Sequence, residues 1–134
     1  MKYLFFLLFF NQMSISENSI SYSKKKQIVK SIINNEEFLE YLNYTKNKKN
    51  YSVKVDFLNS CYKTIVNLKD NKKITIDNKV ENADIFFKSI KIEQDYYVVY
   101  IDFKGPIIHK CFFEVWESKK LIHVDKKDCV DIMN

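Results

Sequence analysis

Residues 85–103 read IFFKSIKIEQDYYVVYIDF, two runs of β-branched and aromatic residues joined by Gln94-Asp95. Such residues suit a pleated, half-buried surface, and a polar pair between two such runs predicts a hairpin. The reading is a strand from Ile85 to Glu93, a turn at Gln94-Asp95, and a second strand from Tyr96 to Phe103. A tight turn there sets Ile92 against Tyr97 and Ile90 against Val99. Lys104-Gly105-Pro106 follows as the sharpest punctuation in the chain. A third strand runs from His109 to Glu117, and Ser118-Lys119 turns it into a fourth, Leu121 to Asp125. Together these predict an antiparallel meander.

The side-chain period of two assigns faces. The second turn sets Val115 opposite Ile122 and Phe113 opposite Val124. The other face then pairs Trp116 with Leu121, Glu114 with His123, and Phe112 with Asp125. A one-residue slip would mix the two sets and expose apolar side chains. One face is strongly apolar, while the other is mixed and carries Tyr96, Tyr100, Phe112 and Trp116. Either face can take a covering layer.

That layer comes from upstream. Ile28, Val29, Ile32 and Ile33 recur at helical spacing behind Ser23, a capping residue type. Asn34, with Glu37 three residues on, reads as a second helix start, and Phe38, Leu39 and Leu42 are its apolar stripe. The prediction is helix from about Lys24 to Tyr44, broken near Asn34, then a solvated linker through Asn50. Val53, Val55 and Phe57 alternate like a strand, Thr64 to Leu68 is β-prone, and Asp70-Asn71 can turn the chain before Ile74 and Ile76. Phe57, Cys61 and Ile65 are also spaced by four, which leaves a helical segment open there. The fold class expected is α+β: one or two N-terminal helices packed on a curved antiparallel β-meander. Cystatin-like and NTF2-like folds share this broad order. The likeness is one of architecture by analogy, with no family motif behind it, and it transfers no function.

The amino end reads differently. Met1-Lys2 is followed by an unbroken apolar run, Tyr3 to Phe10, which Asn11 and Gln12 end. Ser14 and Ser16 are small residues two apart. A basic start, a short apolar core and small residues near the end match a cleaved signal peptide, and the run is far shorter than the ~20 residues a membrane-spanning helix needs. The expectation is a signal peptide over 1–16, cleaved to leave a single α+β domain over 17–134. The product would be secreted or periplasmic, with no stable membrane insertion after cleavage. Export permits one disulfide among Cys61, Cys111 and Cys129. Cys111 with Cys129 would close the C-terminal hairpin, and Cys61 with Cys129 would tie the chain end to its middle. Three unbridged buried thiols also fit the sequence.

Composition excludes more than it names. The chain has 46% hydrophobic and 29% charged residues, enough for a core and a solvated surface. All 22 basic residues are lysine. A single Gly rules out phosphate-cradling loops, which need several. The absence of Arg removes the bidentate fork that reads guanine and phosphate. Net charge is +5, but lysines and acids are interleaved, so nucleic acid is not the expected partner. Cysteine and histidine spacing matches no metal pattern, and no cofactor is expected. No catalytic residue is assigned.

Three constellations stand out. Glu114 and His123, as cross-strand neighbours, would form an acid–base couple or an ordinary solvent-facing pair. His109 and Cys111 share one face, as a Cys–His nucleophile or as a thiol beside a loop-end His. Tyr96, Tyr100, Phe112 and Trp116 would line a second apolar surface, either core or a ligand or partner site. The features point away from an enzyme. They favour a small exported interaction protein that binds a protein partner through its sheet, as an immunity or inhibitor protein does. The alternative is a small-molecule binder or simple acid–base enzyme with a pocket between helix and sheet.

Overall fold

The computed structural model describes residues 19–118 and 121–133. The signal peptide expected over 1–16 lies outside the described residues.

Helix α1 spans Tyr22–Ile33 and helix α2 spans Glu36–Thr45. The Ser21 hydroxyl caps α1 by accepting from the Lys24 N–H, two residues before the serine expected for that role. The break falls where the sequence placed it, but its cap is Asn35 rather than Asn34. Asn35 Oδ1 accepts from the N–H groups of Glu37 and Phe38 at 3.0 and 3.3 Å. Glu36 and Glu37 also set negative charge at the positive end of α2. Asn34 serves the helix before it, donating its N–H to the Lys30 carbonyl.

The described strands are β1 (Asn50–Val55), β2 (Lys63–Asn67), β3 (Lys73–Asp77), β4 (Ile85–Ile92), β5 (Tyr96–Phe103), β6 (Ile107–Ser118) and β7 (Leu121–Met133). They form one sheet in the order β2-β3-β1-β4-β5-β6-β7. From β4 to β7 this is the expected antiparallel meander. The sheet as a whole is mixed, because β1 pairs in parallel with both β3 and β4. The sequence reading missed this for a physical reason: alternation at Tyr51, Val53 and Val55 reports which face is buried, not the direction of a neighbour. The helical option around Phe57 to Ile65 is not taken; residues 56–62 are a loop, and Ile65 lies in β2.

β1 has a neighbour along only part of each flank. β3 pairs with residues Asn50 to Val53, and β4 with Val53 to Val55. Two side chains finish the ladder where these strands stop. The buried Asn78 accepts from the Val55 N–H at 2.7 Å and donates to the Val55 carbonyl at 2.8 Å, so its amide stands in for a missing peptide group. Its Nδ2 also reaches the Leu58 and Asn59 carbonyls. On the other flank, Asp84 accepts from the Ser52 N–H and hydroxyl and meets the ammonium groups of Lys46 and Lys48. Burial opposes ionisation of Asp84. The Ser52 N–H and the two lysines outweigh it and hold the carboxyl below its ordinary range.

Both helices lie on one face. Ile28, Val29, Ile32, Ile33, Phe38 and Leu42 pack onto the odd-numbered residues of β1, β5 and β6. Phe38 is fully buried, with ring centroids of Phe103, Phe113 and Phe87 at 5.5, 5.9 and 6.1 Å. The hairpin between β2 and β3 turns at Asp70 and Asn71, whose φ values of 61° and 59° are left-handed. Asp and Asn tolerate that region better than other side-chain-bearing residues.

The β4·β5 register is the one expected, with Ile92 opposite Tyr97 and Ile90 opposite Val99. The β6·β7 register is not. Val115 meets Val124, Trp116 meets His123 and Glu114 meets Asp125. From Phe113 to Trp116 each β6 residue faces a β7 residue two further along than expected, and Phe112, beyond a bulge, faces Asp128, three further along. A shift of two keeps every side chain on its own face, so the hydrophobic pattern could not choose between the two registers. β7 also runs on to Met133, past the expected end at Asp125. Lys127 is the extra residue of a bulge, after which Cys111 lies opposite Cys129. Their Cα atoms are 4.1 Å apart and the two are joined in a disulfide. Cys61 is free and exposed.

Candidate functional site

The residues singled out on the mixed face share the sheet face away from the helices. The β5·β6 register places Tyr96 opposite Trp116, Val98 opposite Glu114, Tyr100 opposite Phe112 and Asp102 opposite Lys110. Tyr96 and Trp116 stack with centroids 4.4 Å apart, and Tyr100 and Phe112 meet at 6.1 Å. Offset aromatic pairs at such distances are favourable beyond the area they bury. Trp116 remains 36% exposed, whereas Tyr96, Tyr100 and Phe112 are half-buried.

The row continues onto the last strand. Beyond the Lys127 bulge, Val130 and Ile132 turn to this face and are 57% and 42% exposed. With Tyr100 and Phe112 they line a shallow groove of about 380 Å3. Its polar rim is Lys88 and the Asp102–Lys110 ion pair at 3.1 Å. Lys91 sits 5.3 Å above the Tyr100 ring, and the Tyr100 hydroxyl, followed by Glu93, lifts the Lys91 ammonium above its ordinary pKa.

The Glu114–His123 couple is not formed. Glu114 Oε1 accepts from Trp116 Nε1–H at 3.2 Å and lies 3.7 Å from Lys127 Nζ. His123 Nε2 is 2.9 Å from Asp125 and its side chain is 72% exposed. Glu114 therefore orients the indole, and His123 is a surface ion-pair partner. Neither lines the groove. The Cys111 sulfur is held in the disulfide, so it is no nucleophile beside His109.

His109 instead belongs to a cluster that sequence reasoning missed. Its Nδ1 lies 2.9 Å from the Tyr41 hydroxyl and 2.5 Å from Asp131 Oδ1, tying α2, β6 and β7 together. Burial, then Asp131, then Tyr44 push the Tyr41 phenol up to about 12. Asp131 was out of view because β7 was expected to end at Asp125. Lys126 Nζ covers the Tyr41 ring at 4.6 Å. This is a fastening on the helix-covered side of the sheet.

Among the described residues no three His, Cys, Asp or Glu side chains gather as a metal site. Among the same residues no helix is long and apolar enough to cross a membrane. Comparison with protein-family models, curated proteins and solved structures finds no match.

Proposed function

We propose that the protein is an exported binding protein whose partner, another protein, docks on the helix-free sheet face. One observation carries the reading: the aromatic row of Tyr96, Trp116, Tyr100 and Phe112 is left uncovered by both described helices. A partly exposed Trp in a preset orientation, ringed by polar groups, has the make-up of a protein interface core. The groove between Tyr100, Phe112, Val130 and Ile132 suits an apolar side chain of the partner. Its rim of Lys88, Lys110 and Asp102 suits a polar border. Immunity- or inhibitor-like action fits such a one-sided aromatic surface. Export rests on the leader read at 1–16, and the Cys111–Cys129 disulfide supports an oxidising compartment.

A photo-crosslinking amino acid at Trp116, compared with one at the exposed α2 residue Glu40, tests the docking face in the native host. A discrete protein adduct is expected from position 116 and not from position 40. The reading fails if position 116 gives no adduct, or if both positions give the same ones. Mass spectrometry of the secreted product would show its first residue near Glu17; an intact Met1 in the cytosol would overturn export.

A further inference from the structure

A second surface lies at the opposite edge of the molecule. β2 is the outer strand of the described sheet, and α1 faces it across an open space. Between them is a groove of about 850 Å3. Its helical wall is one stripe of α1 that includes Ser23, Lys26, Lys30 and Asn34, and its strand wall is Tyr62 to Thr64. Among the described residues no carboxylate lines it, whereas Lys26, Lys30 and Lys63 do. Lys63 lies 3.8 Å from Asp77. Lys26 rests over the Tyr22 ring at 5.0 Å, and neither it nor Lys30 has an acidic partner among the described residues.

Among the described residues the strand wall keeps hydrogen-bonding groups that meet no partner. The Tyr62 carbonyl accepts from Asn78 N–H, and the Leu68 N–H donates to the Lys72 carbonyl. These fix the alternation of the antiparallel β2·β3 ladder, so the even-numbered residues Thr64 and Val66 bond β3. The N–H and C=O groups of Lys63, Ile65 and Asn67 therefore point outward, along the free edge. An extended chain entering the groove would meet a ready-made ladder on one side and an ammonium row on the other.

The geometry points to a binding site for an extended acidic peptide that adds to the β2 edge as an eighth strand. Its specificity follows from two spacings. Side chains on one face of a strand recur about every 6.8 Å, and residues four apart on a helix lie about 6 Å apart. Lys26 and Lys30, one turn apart, thus match carboxylates at alternate positions of the incoming strand. The recognised pattern is acidic residue, any residue, acidic residue. Backbone pairing would supply register, and the lysines would select the side chains. This surface is distinct from the aromatic face, and binding here does not depend on that face.

Fluorescence anisotropy of a labelled peptide alternating glutamate with threonine, titrated with the full chain, reads the binding. A peptide of equal composition with its glutamates consecutive is the comparator. The alternating peptide is expected to saturate and to bind better. Two variants separate the parts. The double variant Lys26→Glu, Lys30→Glu reverses the wall charge. Ile65→Pro deletes one outward N–H and leaves the β3 ladder intact, and the Ile65 side chain is already 54% exposed. Each is expected to weaken binding by about tenfold or more. Far-UV circular dichroism and a thermal melt of each variant establish that the sheet persists. The proposal is overturned if neither peptide binds, if the two bind alike, or if a folded Ile65→Pro variant binds unchanged. It is also overturned if single-stranded oligothymidylate binds more tightly than the alternating peptide, which would reduce the lysines to general anion attraction.

Discussion

Replacing Asn78 by Ala removes a side chain that acts as backbone. In the folded protein its amide occupies the place where a neighbouring strand would satisfy Val55, which is fully buried. Alanine leaves the Val55 N–H without a partner, and the Val55 carbonyl with only the Leu58 N–H, in a site where Asn78 itself is 6% exposed. A buried donor left unpaired costs about 1–3 kcal/mol, and the carbonyls add a smaller cost each. The carbonyl of the exposed Asn59 recovers water, whereas that of the buried Leu58 does not. The sum is about 3 kcal/mol, a large part of the roughly 5–15 kcal/mol that holds a domain together. At about 4 °C per kcal/mol for a domain of this size, the melting midpoint should fall by about 12 °C. Urea denaturation followed by circular dichroism measures the free energy, with the exposed Asn82→Ala as control. Asn78→Asp adds a signature. The carboxylate would face three carbonyls, so its folded pKa would rise above the unfolded value of about 3.9. A raised folded pKa means stability that is present below the unfolded pKa and lost as pH rises through the folded one. The Asp variant should therefore be weakest at neutral pH and recover in acid. An Ala variant within about 1 kcal/mol of the parent, or an Asp variant with a flat pH response, would refute the backbone role given to this amide.

Three further outcomes follow from the same structure. Asp84 has a lowered folded pKa, so its contribution is present above the unfolded value of about 3.9 and lost as pH falls through the folded one; Asp84→Asn should be less stable at pH 7 and flatten the acid limb of the stability profile. Tyr41, raised to about 12, contributes stability that is complete below pH 10 and lost as pH rises toward 12; ultraviolet titration should show late phenols, since burial also raises Tyr62, and Tyr41→Phe should remove the one near 12. The Cys111–Cys129 bridge closes a segment with a sequence separation of 18, and the double serine variant should lose about 2–4 kcal/mol, read as a lower urea midpoint.

The readable parts of this fold were those where period alone decides. Ile28 to Ile33 and Phe38 to Leu42 carry a helical stripe, and Tyr96 to Phe103 carries an unbroken strand signal, so these elements emerged close to their observed bounds. The parity of β5 and β6 likewise sufficed to group Tyr96, Tyr100, Phe112 and Trp116 on one face. Which face the helices would cover was not legible, because both faces carry large apolar residues. The position of β1 was hidden because its partners depend on Asn78 and Asp84, polar residues at strand ends that look like ordinary loop. The second half of β7 was hidden by Lys126-Lys127-Asp128, which reads as a solvated turn and is a bulge. That misreading also concealed Asp131 and the exposed pair Val130 and Ile132. The groove beside β2 left little trace: Lys24-Lys25-Lys26 stands at the start of α1, but an outward-facing edge is a property of strand order, which no local pattern reports.

The arrangement around β1 leaves a seam through the sheet. β4 to β7 are consecutive hairpins whose pairings need little chain closure, so they can zip in sequence. β1 must be threaded between two segments that lie later in the chain, and each flank is sealed by a single amide or carboxylate instead of a full neighbour. Opening should therefore begin there. Amide protons of residues 50–55 should exchange with heavy water ahead of those in the middle of β5 and β6, and proteases should find the chain first on the β2–β3 side of that line.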